Sequence, residues 1–217
     1  MRKVQPVTTA AQAWDRYAET SPSRRSVNAV GAETWLNWTQ YPDHGPDEAV
    51  LGEIRGKRIL ELGSGSGDNL AHLATSGASC VGVDLAPSRA IAANRNWGHL
   101  SELEFITTDA VDYLTGTTTL FDVVYSIFGA VWFTDPVILL PLVRGRMTRG
   151  GVLAFSQMPD TGQKPRSDRL ITKWNHPAGH WVRMLTEAGF EAATAEIIAA
   201  PTAGAPGTLL VRAINAG

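Results

Sequence analysis

The chain has 217 residues, a formal net charge of -2 and one cysteine, enough for one substantial core and too little for two independent α/β domains. Its basic residues are scattered and no Cys/His spacing suits zinc, so no nucleic-acid partner and no metal are expected, and Cys80 has no partner for an internal disulfide. No apolar run approaches ~18 residues and the start Met1-Arg-Lys-Val-Gln-Pro lacks an apolar signal core, which points to a cytoplasmic protein without a membrane partner.

Residues 1–55 differ in character from the rest and are expected to form an N-terminal helical cap or lid on a domain spanning 56–217. Ala10, Trp14, Tyr17 and Ala18 recur at helical spacing, and Val27, Val30, Thr34 and Trp38 make a second stripe. Prolines and glycine mark Ser21-Pro22-Ser23-Arg24-Arg25 and Tyr41-Pro-Asp-His-Gly-Pro46 as loops. From Lys57 the pattern alternates: strand 58–63, helix 68–76, strand 79–84, helix 87–97, strand 103–107, a short helix after Asp109, and strand 121–126. A helix at 136–147, bent at Pro141, precedes strand 151–156, a long polar connection over 157–176, and a helix 178–188 stopped by Gly189. Strands 190–198 and 207–214 make a hairpin around a Pro/Gly/Ala turn. This order predicts an α/β fold with a doubly wound, mostly parallel seven-stranded sheet and a C-terminal antiparallel hairpin strand.

The run Ile59-Leu-Glu-Leu-Gly-Ser-Gly-Ser-Gly-Asp68, followed by Val81-Gly-Val-Asp84, reads as strand, glycine turn, helix and a second strand ending in a carboxylate. That is a nucleoside-binding unit. Gly63, Gly65 and Gly67 let the backbone turn sharply and approach a ligand with no Cβ in the way. Asp84 is placed to accept from paired ribose hydroxyls, although it equally suits a cap for the helix beginning near Pro87. Asp68 stands where a dinucleotide fingerprint has its third glycine, and its charge would repel a pyrophosphate on the helix N-terminus. S-adenosylmethionine (SAM) carries a sulfonium, an ammonium and one carboxylate but no phosphate, so Glu61 and Asp68 are compatible with it.

This ordered set resembles the class I SAM-dependent methyltransferases, whose first motif is E-x-G-x-G-x-G after an apolar strand. The resemblance continues through Asp84, Thr108-Asp109-Ala110, Phe121-Asp-Val-Val-Tyr-Ser126 and Arg149-Gly-Gly-Val-Leu153, covering residues 56–214. It implies SAM as cofactor, S-adenosylhomocysteine (SAH) as product, and an O, N or C atom of a small molecule as methyl acceptor. The implied cofactor contacts are Glu61, Gly63, Ser64, Gly65, Gly67, Asp84, Leu85, Asp109, Ala110 and Ser126. Asp109 would accept from the adenine amino group, or simply cap the helix after it. The fourth motif lacks the D/N-P-P-Y/F/W cluster of enzymes that methylate base amines, and composition suggests a natural-product or other metabolite as substrate in secondary metabolism. A non-catalytic SAM-binding regulator or partner subunit, or another SAM-related transferase, would share these motifs; oligomeric state is left open.

The acceptor should sit outside the carboxyl ends of the strands. Trp38, Tyr41, Phe128 and Trp132, on or beside loops directed there, are the candidate substrate contacts, whereas Trp181 fits the inner face of the last helix. If the acceptor must lose a proton, His44 and His176 are the candidate bases, because both lie in loops expected over the site and imidazole titrates near neutrality.

Overall fold

The structure, a computed structural model, describes residues 7–21, 24–162 and 170–217. The first six residues, the Pro22-Ser23 step of one predicted loop, and the middle of the polar connection, 163–169, lie outside the described part. Thr9 opens helix α1 (Ala10–Thr20) with a reciprocal cap, its hydroxyl accepting from the Gln12 amide while the Gln12 side chain accepts from the Thr9 amide.

The second helical stripe does not form. Asn28 Oδ1 accepts from the Val30 and Ala32 amides at 3.0 and 2.8 Å, and Gly31 turns at a φ of 83°, so local side-chain bonds replace helical ones. Val30 is left 87% exposed. The segment runs as irregular backbone to a 3-10 turn at Glu48–Leu51, and Leu36, Trp38, Leu51 and Ile54 are built into the core of one sheet face. The cap is therefore one helix and a strap, not a helix pair.

Seven strands form one sheet: β1 (Arg58–Leu62), β2 (Ser79–Asp84), β3 (Leu103–Thr107), β4 (Phe121–Ile127), β5 (Met147–Gln157), β6 (Phe190–Ile198) and β7 (Thr208–Asn215), in the order β3-β2-β1-β4-β5-β7-β6. Every pairing is parallel except those of β7, which is antiparallel to both β5 and β6. The expected architecture is the observed one. β5 begins at Met147 instead of 151 because Met147 already pairs with Phe121, and a register shift before the Val123–Val152 pair absorbs the Arg149-Gly-Gly turn.

Helices α2 (Asp68–Thr75), α3 (Pro87–Trp97), α4 (Ala110–Gly116), α5 (Ala130–Phe133), α6 (Pro136–Gly145) and α7 (Ala178–Glu187) complete the fold. Gly189, at a φ of 88°, comes directly after the α7 C-cap Ala188, the left-handed step that ends many helices. Alternation along the strands divides the core between the sheet faces. Val124 packs with Leu60, Leu139 and Trp181 on one face, and its neighbours Val123 and Tyr125 pack with Ile59, Leu70 and Trp38 on the other.

β1 has β2 on one side and β4 on the other, so strand order reverses there and a crevice opens at their carboxyl ends. The two exits nearly touch: a Cβ on Gly63 would lie 2.5 Å from the Ala130 nitrogen, and one on Gly129 would lie 2.4 Å from the Leu62 oxygen. Ser126 locks the junction, its hydroxyl donating to the Leu62 carbonyl at 2.6 Å and accepting from the Val131 amide at 3.3 Å.

Candidate functional site

A cleft of about 560 Å³ lies over the carboxyl ends of β1, β2 and β4, a volume ordinary for a small-molecule site. Its lining brings together Glu61, Gly63, Ser64, Gly65, Asp84, Leu85, Asp109 and Ala110. Two implied cofactor contacts stand behind that wall. Gly67, at a φ of 78°, starts α2 so tightly against β3 that a Cβ would lie 2.3 Å from Phe105, and Ser126 is wholly buried in the lock between β1 and β4. Both shape the cleft without lining it.

The polar groups of the floor are braced and still have capacity. Asp84 Oδ2 accepts from the Gly65 amide and Oδ1 from the Ala86 amide, each at 2.8 Å, so the carboxylate holds the glycine turn. Each oxygen keeps a further acceptor position. Burial raises the Asp84 carboxyl above its usual range, with those two amides pulling the other way. Asp109 Oδ1 caps α4 through the Val111 and Asp112 amides at 2.8 and 3.4 Å, while Oδ2 has no partner among the described residues. The cap and the ligand reading of Asp109 thus use different oxygens.

Glu61 is 1% exposed, and its Oε2 has no hydrogen-bond partner among the described residues. Burial pushes this carboxyl up to about 8, with the Asp84 and Asp68 carboxylates adding to the rise and Tyr125 and Asn69 opposing it. A buried acid with an open acceptor oxygen is costly unless a cation or donor meets it. Across the lining stands Arg24, which its sequence neighbourhood marks only as a loop residue. Its guanidinium stacks 3.8 Å over the Trp35 ring and donates to Asn69 Oδ1 at 2.9 Å. Burial lowers its pKa, against the pull of Asp68, Glu61 and Asp43. The set fits SAM: acceptors for a ribose diol and an adenine amine, a buried acid with an open oxygen for an ammonium, and a cation for a carboxylate.

The rest of the lining is aromatic. Trp14 and Tyr17 come from α1, Phe128 from the end of β4, Phe133 from α5 and Trp174 from the segment before α7. Of the four predicted substrate contacts only Phe128 lines this cleft. Trp38 is fully buried, its indole nitrogen donating to the Asp47 carbonyl at 3.1 Å, and Tyr41 donates its hydroxyl to the Pro206 carbonyl at 2.8 Å, away from the cleft. Trp132 is also buried and donates to Asn175 Oδ1 at 2.5 Å, so it clamps the segment that carries Trp174.

Neither histidine is among the lining residues. His44 borders a second, shallow hollow and its Nε2 lies 2.7 Å from the Ala199 carbonyl oxygen. His176 stacks on His180 at 4.6 Å, and burial and that neighbour lower its pKa. Among the described residues no cluster could hold a metal ion, and no helix is long and apolar enough to cross a membrane.

Residues 59–151 match the family model of a methyltransferase domain. No curated protein sequence matches the chain. Among solved structures, a SAM-dependent methyltransferase from Mesorhizobium loti superposes with a TM-score of 0.62 at 22% identity, over 77% of this chain and 94% of that one. The Burkholderia thailandensis 1,6-didemethyltoxoflavin-N1-methyltransferase gives 0.63 at 19% identity over 77% and 73%, and the magnesium protoporphyrin IX methyltransferase of Synechocystis PCC 6803 gives 0.57 at 16% over 75% and 72%. At these identities the likeness is one of fold. With the motif set in place along β1, β2 and β4, residues 59–151 match a methyltransferase domain, SAM is the cofactor of that domain, and the chain has the fold of the class I SAM-dependent methyltransferases.

Proposed function

We propose that this protein transfers a methyl group to an O, N or C atom of a small metabolite. The observation that carries the reading is that one cleft is lined both by polar groups, Glu61, Arg24, Asp84 and Asp109, and by the rings of Trp14, Phe128, Phe133 and Trp174. When bound, SAM supplies an electrophilic methyl: the acceptor's lone pair bonds to carbon while the carbon–sulfur pair returns to sulfur, leaving SAH.

The chain's own work is binding, alignment and exclusion of water. Asp84 holds the ribose, Asp109 Oδ2 the adenine amine, and Glu61 and Arg24 the two ends of the amino-acid tail. The aromatic rings fix the acceptor against the same floor. Such alignment is worth roughly 7 to 11 kcal/mol when reactants sit in near-attack geometry, so a dedicated base is unnecessary for an acceptor that arrives nucleophilic or yields its proton to water. Two fold neighbours are named as methyltransferases of 1,6-didemethyltoxoflavin and magnesium protoporphyrin IX, which supports a metabolite acceptor.

The test is to incubate the protein with methyl-labelled SAM and fractionated metabolite extracts, measuring SAH formation and transfer of label. Label in an organic-soluble small molecule is the expected outcome. Tight SAH binding with no transfer to any fraction would favour a non-catalytic SAM-binding role.

A further inference from the structure

We infer that the aromatic lining of the cleft forms a subsite for a planar, conjugated, heteroatom-bearing ring, held chiefly by Trp14, Phe133 and Trp174. The inference rests on the methyltransferase reading and names its substrate class. Three separate elements deliver these rings to one cleft: α1, α5 and the segment before α7. Trp14 meets Phe133 edge to face, with centroids 4.5 Å apart and planes at 73°. Trp174 is pinned on both sides of its backbone, its amide donating to the Trp132 carbonyl at 2.8 Å and its carbonyl accepting from the buried Gln157 side chain at 3.1 Å. Its backbone is therefore placed by the scaffold.

The indole nitrogens add a second observation. Those of Trp38 and Trp132 have protein acceptors, whereas those of Trp14 and Trp174 have none among the described residues, although both side chains are only partly buried. Two partly exposed indoles with free N–H groups offer π faces for stacking and donors for ring heteroatoms or carbonyls at the ligand's rim. A saturated ring presents hydrogens to those faces and loses offset stacking. Thr134 and Thr172, next in sequence to Phe133 and near Trp174, add hydroxyls to the same lining.

The test uses the whole protein saturated with SAH, whose own affinity is measured first by calorimetry. Lumichrome and 2,4-dihydroxyquinoline serve as planar probes, menthol and phosphoethanolamine as non-planar ones, with binding read by saturation-transfer NMR and titration. The planar probes are expected to bind and the others not. Trp174→Leu is expected to weaken planar-probe binding at least tenfold while SAH affinity stays within threefold of wild type, which also reports that the variant is folded; Phe133→Leu is the second variant. Failure of both planar probes to bind, equal or better binding of the non-planar ones, or unchanged probe affinity in both variants overturns the subsite. Failure of SAH to bind the wild-type protein overturns the methyltransferase reading instead.

Discussion

Asp84 Oδ2 and the Gly65 amide, 2.8 Å apart, join the end of β2 to the glycine turn after β1. The same carboxylate takes the Ala86 amide on Oδ1 at the entry to α3. One side chain thus shapes the turn and presents paired acceptors to the cleft.

Asp84→Ala removes the paired acceptors and the brace on Gly65 together. Hydrogen bonds to a charged group are worth about 1.5 to 3 kcal/mol, so SAH affinity is expected to fall by roughly 10- to 150-fold. Asp84→Asn keeps one acceptor oxygen and should fall between. Calorimetry showing wild-type affinity in the alanine variant would remove Asp84 from the ribose site.

Glu61 makes binding depend on pH. Its carboxyl, raised by burial from an ordinary 4.5 to about 8, is mostly protonated at neutrality, while a cationic ligand group favours the carboxylate. Binding should therefore expel a proton below pH 8. SAH affinity rises with pH from 6 to 8, by up to about tenfold per unit, and then levels. In the free protein the native state holds a proton that the unfolded chain has lost between pH 4.5 and 8, so this group's contribution to stability declines as pH rises through that window. Calorimetry in two buffers of different ionisation enthalpy reads the released proton. Glu61→Gln should abolish the release and flatten both profiles.

Phe128 adopts a φ of 48°, left-handed backbone that a bulky side chain enters at a cost of about 1 to 3 kcal/mol. Its amide donates to the Ser156 carbonyl at 2.8 Å and its ring meets Trp132 at 5.9 Å, which holds the strained residue at the cleft wall. Phe128→Gly relieves the strain and loses the ring. Thermal stability is expected to stay near wild type or rise by a few degrees, instead of falling as for an ordinary Phe truncation, while methyl transfer drops at least tenfold. A fall in melting temperature of ten degrees or more would show that the conformation is not under strain.

The sheet was legible because its signals are local. Apolar runs bounded by Gly63 to Gly67, Asp84 and Asp109 mark strand ends, and strand–helix alternation implies a parallel sheet with right-handed crossovers, whereas the strand order is read from the structure. The strap was not legible, since Val27, Val30 and Trp38 keep helical spacing while the Asn28 side chain diverts the backbone amides of 30 and 32. Spacing also cannot say which indole faces a cavity. Trp38 and Trp132 are spent on the core and a clamp, whereas Trp14, whose spacing marks it only as part of a helical stripe, lines the cleft. Arg24 had no local signal, because its place in the cleft lining is set by Asn69 and Glu61, residues distant in sequence.

His44→Gln tests whether the imidazole does chemistry. Its Nε2 is engaged at the Ala199 carbonyl and it borders the second hollow, so turnover with an identified acceptor is expected to remain within about threefold of wild type between pH 6 and 9. A loss of ~10² or more, with SAH affinity kept, would restore His44 as a base.

Asp15 gives α1 its hold on the cleft. Oδ1 accepts from the Ser88 amide at 3.1 Å and its hydroxyl at 2.6 Å, supplying from α1 the side-chain cap that Ala86 cannot give α3. Helix α1 has no fully buried residue, so beyond this cap it is held by half-buried contacts such as Trp14 on Phe133. A helix held this lightly opens at low cost, and it carries Ala10, Trp14 and Tyr17 to the cleft lining. Hydrogen exchange across Ala10–Thr20 should slow when SAH binds. Asp15→Ala, losing a cap worth about 0.5 to 2 kcal/mol, should raise exchange of α1 in the free protein and speed SAH release, with the sheet amides unaffected. Identical exchange of α1 with and without SAH would make it a fixed wall of the cleft.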